Sequence, residues 1–282
     1  MKNILLATTL LAASTGVAMA DAHIAWSGSA AAGIASSAAD GGGDAAKNDD
    51  KFHVYANATI DLALSGSTDG GLTFGAGFGA TAGNSYALAD DDGFNTEDGT
   101  FGGPTVFVSG SFGKLEFADD NFDFADDSTT GDVKYTGKFG MFGVGLIADM
   151  ESGDMGANAD FAVGAISVTV SADTVDHFDV GATYKISDSL SVSASTNEDS
   201  DAVVGAALTM GSITASADYN TSDESIDLAA GYSANALSVD FSTNTVSEAF
   251  TVTIGYDLGG GLALEAGTND VGDMQVGATM AF

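Results

Sequence analysis

Residues 51–64 read KFHVYANATIDLAL. Phe52, Val54, Ala56, Ala58, Ile60, Leu62 and Leu64 share one parity, and Lys51, His53, Tyr55, Asn57, Thr59 and Asp61 share most of the other. An amphipathic helix would space its apolar residues by three and four; strict alternation is the mark of a strand with one greasy and one polar face. The same period returns along the rest of the chain. Val133 and Tyr135 alternate with Lys134 and Thr136, and Phe178, Val180, Ala182 and Tyr184 alternate with Asp179, Gly181 and Thr183. Phe250, Val252, Ile254 and Tyr256 follow, then Met274, Val276, Ala278, Met280 and the terminal Phe282.

Two kinds of connection separate the runs. Tight ones occur at Gly113-Lys114, Phe139-Gly140, Gly211-Ser212, Asn235-Ala236 and Gly259-Gly260-Gly261; longer acidic ones are expected at 82–103, 119–131, 151–157, 197–201 and 220–224. The two kinds take turns, as in a membrane barrel with short turns on one side and loops on the other. Counting runs predicts about eighteen strands, starting near 22, 51, 71, 104, 114, 132, 141, 158, 166, 176, 189, 201, 212, 224, 236, 247, 262 and 271. The fold class expected is therefore an all-β transmembrane antiparallel β-barrel of 16–18 strands, residues 21–282. Residues 36–50, rich in Gly, Ala and Asp, read as a loop, and the lone Pro104 sits at a strand start where its missing donor costs least.

Alternation alone does not say which face meets water. The polar parity carries Ser, Thr, Asp and Gly, too small to fill the interior of so many strands, so the lumen is wet and the greasy face is turned to lipid. Closure satisfies every backbone group, as a bilayer demands. Residues 1–20 read as a cleavable signal peptide: Lys2, the apolar run from Ile4 to Ala13, and Ala18-Met19-Ala20 before Asp21. The run is too short to span a membrane as a helix.

The formal net charge is −33, and loss of Lys2 with the signal makes it −34. That balance excludes nucleic acid, which needs cations against phosphates, and favours cations as passengers. With 45% hydrophobic residues the acidity does not signal disorder. Catalysis finds no footing: His23, His53 and His177 are scattered, cysteine is absent, and no metal-ligand spacing occurs. No enzyme activity and no cofactor are expected. Asp90, Asp91 and Asp92 with Glu97 and Asp98 cluster oxygens, which favours loosely held surface calcium over a built site.

LALSGSTDGGLTFGAGFGA (62–80), VFVSGSFGKLEFAD (106–119), TIGYDLGGGLALEAGTND (253–270) and the closing VGATMAF (276–282) resemble the general porins of alphaproteobacteria, the Rhodobacter type. The resemblance implies an outer-membrane, water-filled, passive channel for small hydrophilic solutes and ions, built from sixteen strands and assembled as a homotrimer. It also implies a third external loop folded into the lumen, opposing an acidic constriction to a basic wall. Carried over, that loop is 119–131 with Asp119, Asp120, Asp123, Asp126 and Asp127, while strand phase places Lys51, His53, Lys114, Glu116, Lys134 and Lys138 on the wall. The second external loop, 82–103, would reach the neighbouring subunit. Departures are a short third loop and a wall without arginine. The competing expectation is a structural or adhesive acidic surface β protein that conducts nothing, which single-channel recording separates from a pore.

Overall fold

The computed structural model describes residues 21–36, 51–88, 94–123 and 130–282. The signal-peptide expectation at 1–20 lies outside them, as do Asp90, Asp91, Asp92, Asp126 and Asp127. The strands are β1 (Asp21–Ser36), β2 (Phe52–Ser67), β3 (Thr73–Tyr86), β4 (Phe94–Phe101), β5 (Thr105–Gly110), β6 (Gly113–Asp123), β7 (Thr130–Phe139), β8 (Phe142–Ala148), β9 (Met155–Val163) and β10 (Ile166–Asp173). They continue as β11 (Phe178–Lys185), β12 (Leu190–Asn197), β13 (Ala202–Met210), β14 (Ile213–Asn220), β15 (Ile226–Ala234), β16 (Leu237–Asn244), β17 (Phe250–Gly259), β18 (Leu262–Asn269) and β19 (Met274–Ala281).

Apart from β4 and β5, each strand pairs antiparallel with its sequence neighbours, and β1 closes the circle by pairing with both β2 and β19. β4 and β5 both lie against β3 and form one stave interrupted at Gly102-Gly103-Pro104, so nineteen segments make eighteen staves. Pro104 thus sits in a break in the ladder, where no donor is needed. The terminal residue seals the seam: Phe282 N–H donates to Gly28 O at 2.9 Å. Eighteen corrects the sixteen implied by the family resemblance.

The greasy face points out. Trp26, Val54 and Phe101 are 69%, 67% and 76% exposed, whereas the buried apolar side chains among the described residues are only Ala35, Tyr55, Leu88, Phe94 and Phe122. A water-soluble chain could not leave so much apolar surface uncovered; a hydrocarbon solvent outside the wall explains it.

Two loop expectations are corrected. Within 82–103, β3 runs to Tyr86 and β4 begins at Phe94; within 119–131, β6 runs to Asp123 and β7 begins at Thr130. These strand tips carry Asn, Asp, Thr and Gly because they project beyond the lipid, where greasy alternation is no longer required.

From β10 onwards the wall repeats. The stretches 166–189, 190–212, 213–236, 237–261 and 262–282 each hold strand, loop and strand in the same phase. Asp176, Ser200, Glu224, Glu248 and Gly272, 24 residues apart, all take positive φ (73°, 64°, 58°, 59° and 91°). Each loop opens on an Asn or Asp whose side chain accepts from a loop N–H: Asp173 from Val175, Asn197 from Asp201, Asn220 from Ser222, Asn244 from Val246, Asn269 from Asp273. The residue after it caps the neighbouring hairpin. Thr174, Glu198, Thr221, Thr245 and Asp270 accept from the first N–H of β9, β11, β13, β15 and β17 at 2.8–3.2 Å. These bonds satisfy the rim donors that the ladder leaves over and lock each hairpin to the last.

Candidate functional site: the lumen wall

Residues paired across an antiparallel ladder share a face. One row runs Phe139, Phe142, Phe161, Val168, Ala182, Ala194, Val204, Tyr219 and Ile226, all facing lipid. The row one residue away runs Lys138, Gly143, Asp160, Thr169, Gly181 and Ser195, and this is the lumen face.

The wall from β5 to β10 holds a recess of about 840 Å³ lined by Lys114, Asp123, Lys134, Lys138, Asn158 and Asp160 among others. Lys114 Nζ lies 2.6 Å from Glu116 Oε1 and 4.7 Å from the Phe107 ring centre; Lys134 Nζ lies 5.7 Å from the Phe122 ring centre. Lys114, Lys134, Lys138 and Asp123 line one recess, and Glu116 is paired with Lys114 beside it. Lys51 and His53 stand apart, at the loop end of β2, where the His53 ring meets Phe94 edge-on at 5.7 Å. Asp119 and Asp120 fall in a register shift of β6 between Phe117 and Phe122. There Asp132 of β7 ties β6 to the turn after β8, accepting from Asp120 N–H at 3.2 Å and Met150 N–H at 2.8 Å.

Sequence reasoning concentrated on the early strands and passed over most of the charged lumen. Asp61, Asp179, Lys185, Asp218, Asp227, Asp240, Asp257 and Glu265 all sit in inward rows. The same parity that placed Lys134 would have found them. Asp218 and Asp227 face each other across the ladder, and the Asn244 amide donates to Asp227 Oδ1 at 2.7 Å. Several of these acids lie flat along the wall because a glycine occupies the facing position. A Cβ on Gly143 would collide with the Asp160 carboxylate, and one on Gly205 with that of Asp218. The carboxylates thus charge the water path without filling it. Outside the strands, hydrogen bonds from the Ser152 side, then from the Glu151 N–H, hold the Asp149 carboxyl below the ordinary value; Ser225 does the same for Asp223. Among the described residues no group of three or more His, Asp or Glu side chains is arranged to hold a metal ion.

A closed wall greasy outside, charged and small-residued inside, with loops gathered at one rim, defines a transmembrane β-barrel channel. The family model for Gram-negative porin matches residues 7–282. The chain belongs to that family: it is an outer-membrane passive diffusion channel that spans the membrane many times, and not an enzyme. Solved structures share its fold. Two mutants of Rh. blastica porin align over 92% of this chain and 100% of theirs, each at 15% identity, with TM-scores of 0.57 and 0.58. A porin structure refined at 1.8 Å resolution aligns over the same shares at 19% identity and a TM-score of 0.50. No curated protein matches the chain.

Proposed function

We propose that this porin prefers cations among the small hydrophilic solutes and ions it passes. The observation that carries the reading is the lumen inventory: inward carboxylates on β2, β9, β11 and β14–β18 outnumber inward Lys114, Lys134, Lys138 and Lys185. Rings of one charge sign bias which ions enter a pore. The recess wall, with Lys114, Glu116, Asp123, Lys134 and Lys138, supplies a locally mixed field. Lys51, Asp119 and Asp120 add charge nearer the mouth, with the His53 ring beside Lys51; Asp126 and Asp127 of the same acidic sequence lie outside the described residues. The loop carboxylates attract calcium loosely. Copies assemble as a homotrimer; the small outward side chains Ala30, Ala32, Ala56 and Ala58 on β1 and β2 support close approach there.

The test is the reversal potential across a planar bilayer in a KCl gradient. Wild type should read as potassium-preferring, and D160N/D218N/D240N should move the potential towards zero. Chloride preference in the wild type ends the proposal. Unheated gel migration at three times the monomer mass, collapsing on boiling, tests the trimer.

A further inference from the structure

Four of the five buried apolar side chains among the described residues, Ala35, Tyr55, Leu88 and Phe94, belong to one feature inside the barrel. It begins where β3 leaves the wall. Gly83 has φ of +111°, and the β3–β4 register shifts between Thr81 and Gly83. A Cβ there would run into the Ala56 carbonyl, so only glycine permits the bend. Beyond it the Asn84 side chain stands in for the ladder: its Oδ1 accepts from Ala56 N–H at 3.0 Å and its Nδ2 donates to Val54 O at 3.1 Å. The chain is then free to turn inward.

Tyr86 stacks on Tyr55 of β2 at 6.2 Å and packs against Phe94 at 4.8 Å, and its hydroxyl donates to Ser36 O, the end of β1, at 2.7 Å. Leu88 goes further. It lies over Gly267 of β18, so closely that a Cβ on that glycine would collide with it, and its carbonyl accepts from Asn269 Nδ2 at 3.1 Å. Gly267 pairs with Gln275 and Thr253 in an inward row, so the contact is made within the lumen. Tyr86 and Leu88 therefore span the inner face of β2, β1, β19 and β18, across the seam where the barrel closes.

We propose that Tyr86, Leu88 and Phe94 form an internal strap that narrows the outer mouth of this pore and determines the size of solute it admits. The strap comes from the β3–β4 hairpin; β6 and β7 supply charged wall. It is a steric element and does not depend on the cation preference. A layer of ordered side chains on the inside of the wall takes area from the water path over four adjacent staves. Its anchors are few: one hydroxyl, one amide and the packing of Leu88.

The chain has no cysteine, so Leu88→Cys introduces a single reporter. In the folded porin, that thiol should react with a water-soluble maleimide about tenfold or more slowly than S222C in an exposed loop. Y86F/L88S removes two anchors and should raise the single-channel conductance above wild type while heat-modifiable gel migration is kept. If the double variant gives no folded band, L88S alone carries the conductance measurement. Equal labelling rates for L88C and S222C, or an unchanged step in a folded variant, would overturn the strap. A wild type without any steps would instead strike at the channel itself.

Discussion

Removal of one hairpin unit should give a narrower pore with its chemistry intact. Deletion of Leu190–Ser212 takes out β12, its loop and β13. Ser189 then joins Ile213, and β14 meets β11 in the place of β12. Lys185, paired now with Ser191, would pair with Thr214, the residue at the equivalent position of the next unit, so the inward face stays inward. The inward residues lost are Ser191, Ser193, Ser195, Asn197, Val203, Gly205, Ala207 and Thr209, none of them charged. With strands ~4.8 Å apart and tilted by ~40°, the wall radius falls from about 18 Å at eighteen staves to about 16 Å at sixteen. Side chains occupy about 5 Å of that radius, so the open area, and with it the conductance, should fall by roughly a quarter. The assay is single-channel recording of folded, heat-modifiable protein. A deletion that never folds refutes the interchangeability of the units, and one that folds with wild-type conductance refutes the link between stave number and bore.

Two further outcomes follow from the loops. Glu248 holds φ at +59°, a conformation that costs an L-residue about 1 kcal/mol, so E248G should raise the thermal midpoint in detergent; a lower midpoint would show that the Glu248 side chain contributes more than its backbone costs. The Asp149 and Asp223 carboxyls titrate below their ordinary value in the fold, so what they contribute is present above that value and lost as pH falls through the depressed one. Hydrogen-exchange protection at the Glu151 and Ser225 N–H groups, donors at 2.7 and 3.0 Å, should therefore hold down to the ordinary carboxyl value of about 3.9 and drop only below it; a drop already complete at about pH 5 contradicts the assignment.

The parity of KFHVYANATIDLAL was enough to place a strand and its two faces, because a lipid boundary enforces alternation wherever the strand crosses it; the small residues of the polar parity then told the lumen face from the lipid face. It could not place the tips of β3, β4, β6 and β7, since above the lipid residues such as Asn84 and Asp123 are no longer sorted between lipid and lumen and alternation lapses. The eighteen predicted starts succeeded where a tight turn or an acidic loop punctuated the chain; the 94–101 segment, polar between Phe94 and Phe101, went unseen as a strand. The charged wall was legible in principle. Lys185 follows Tyr184 on the same parity as Asp179, but a single lysine among scattered acids marks no cluster, whereas the early strands gather Lys114, Lys134 and Lys138. The strap was not legible, because it depends on contact between Leu88 and Asn269, which lie 181 residues apart. Nor did the 24-residue spacing announce itself, since Asp176, Ser200, Glu224, Glu248 and Gly272 have a common backbone conformation and no common chemistry.

The geometry also dictates how selectivity must depend on salt. A bore of about 13 Å open radius is wider than the Debye length of ~8 Å at physiological ionic strength, so the wall field reaches most of the stream but fades towards the axis. At 1 M salt the screening length shrinks to ~3 Å, and ions on the axis no longer sense Asp160 or Asp218 lying flat on the wall. At 0.01 M it grows to ~30 Å and the whole cross-section lies within the field. The potassium-to-chloride permeability ratio should therefore fall steadily as salt rises, while D160N/D218N/D240N should differ from wild type strongly at low salt and barely at 1 M. The Tyr86 and Leu88 strap, acting by occupied volume, should alter conductance by the same factor at every salt concentration. A selectivity that persisted undiminished at 1 M would require ions to pass within a few ångströms of the carboxylates, and hence a bore far narrower than eighteen staves enclose.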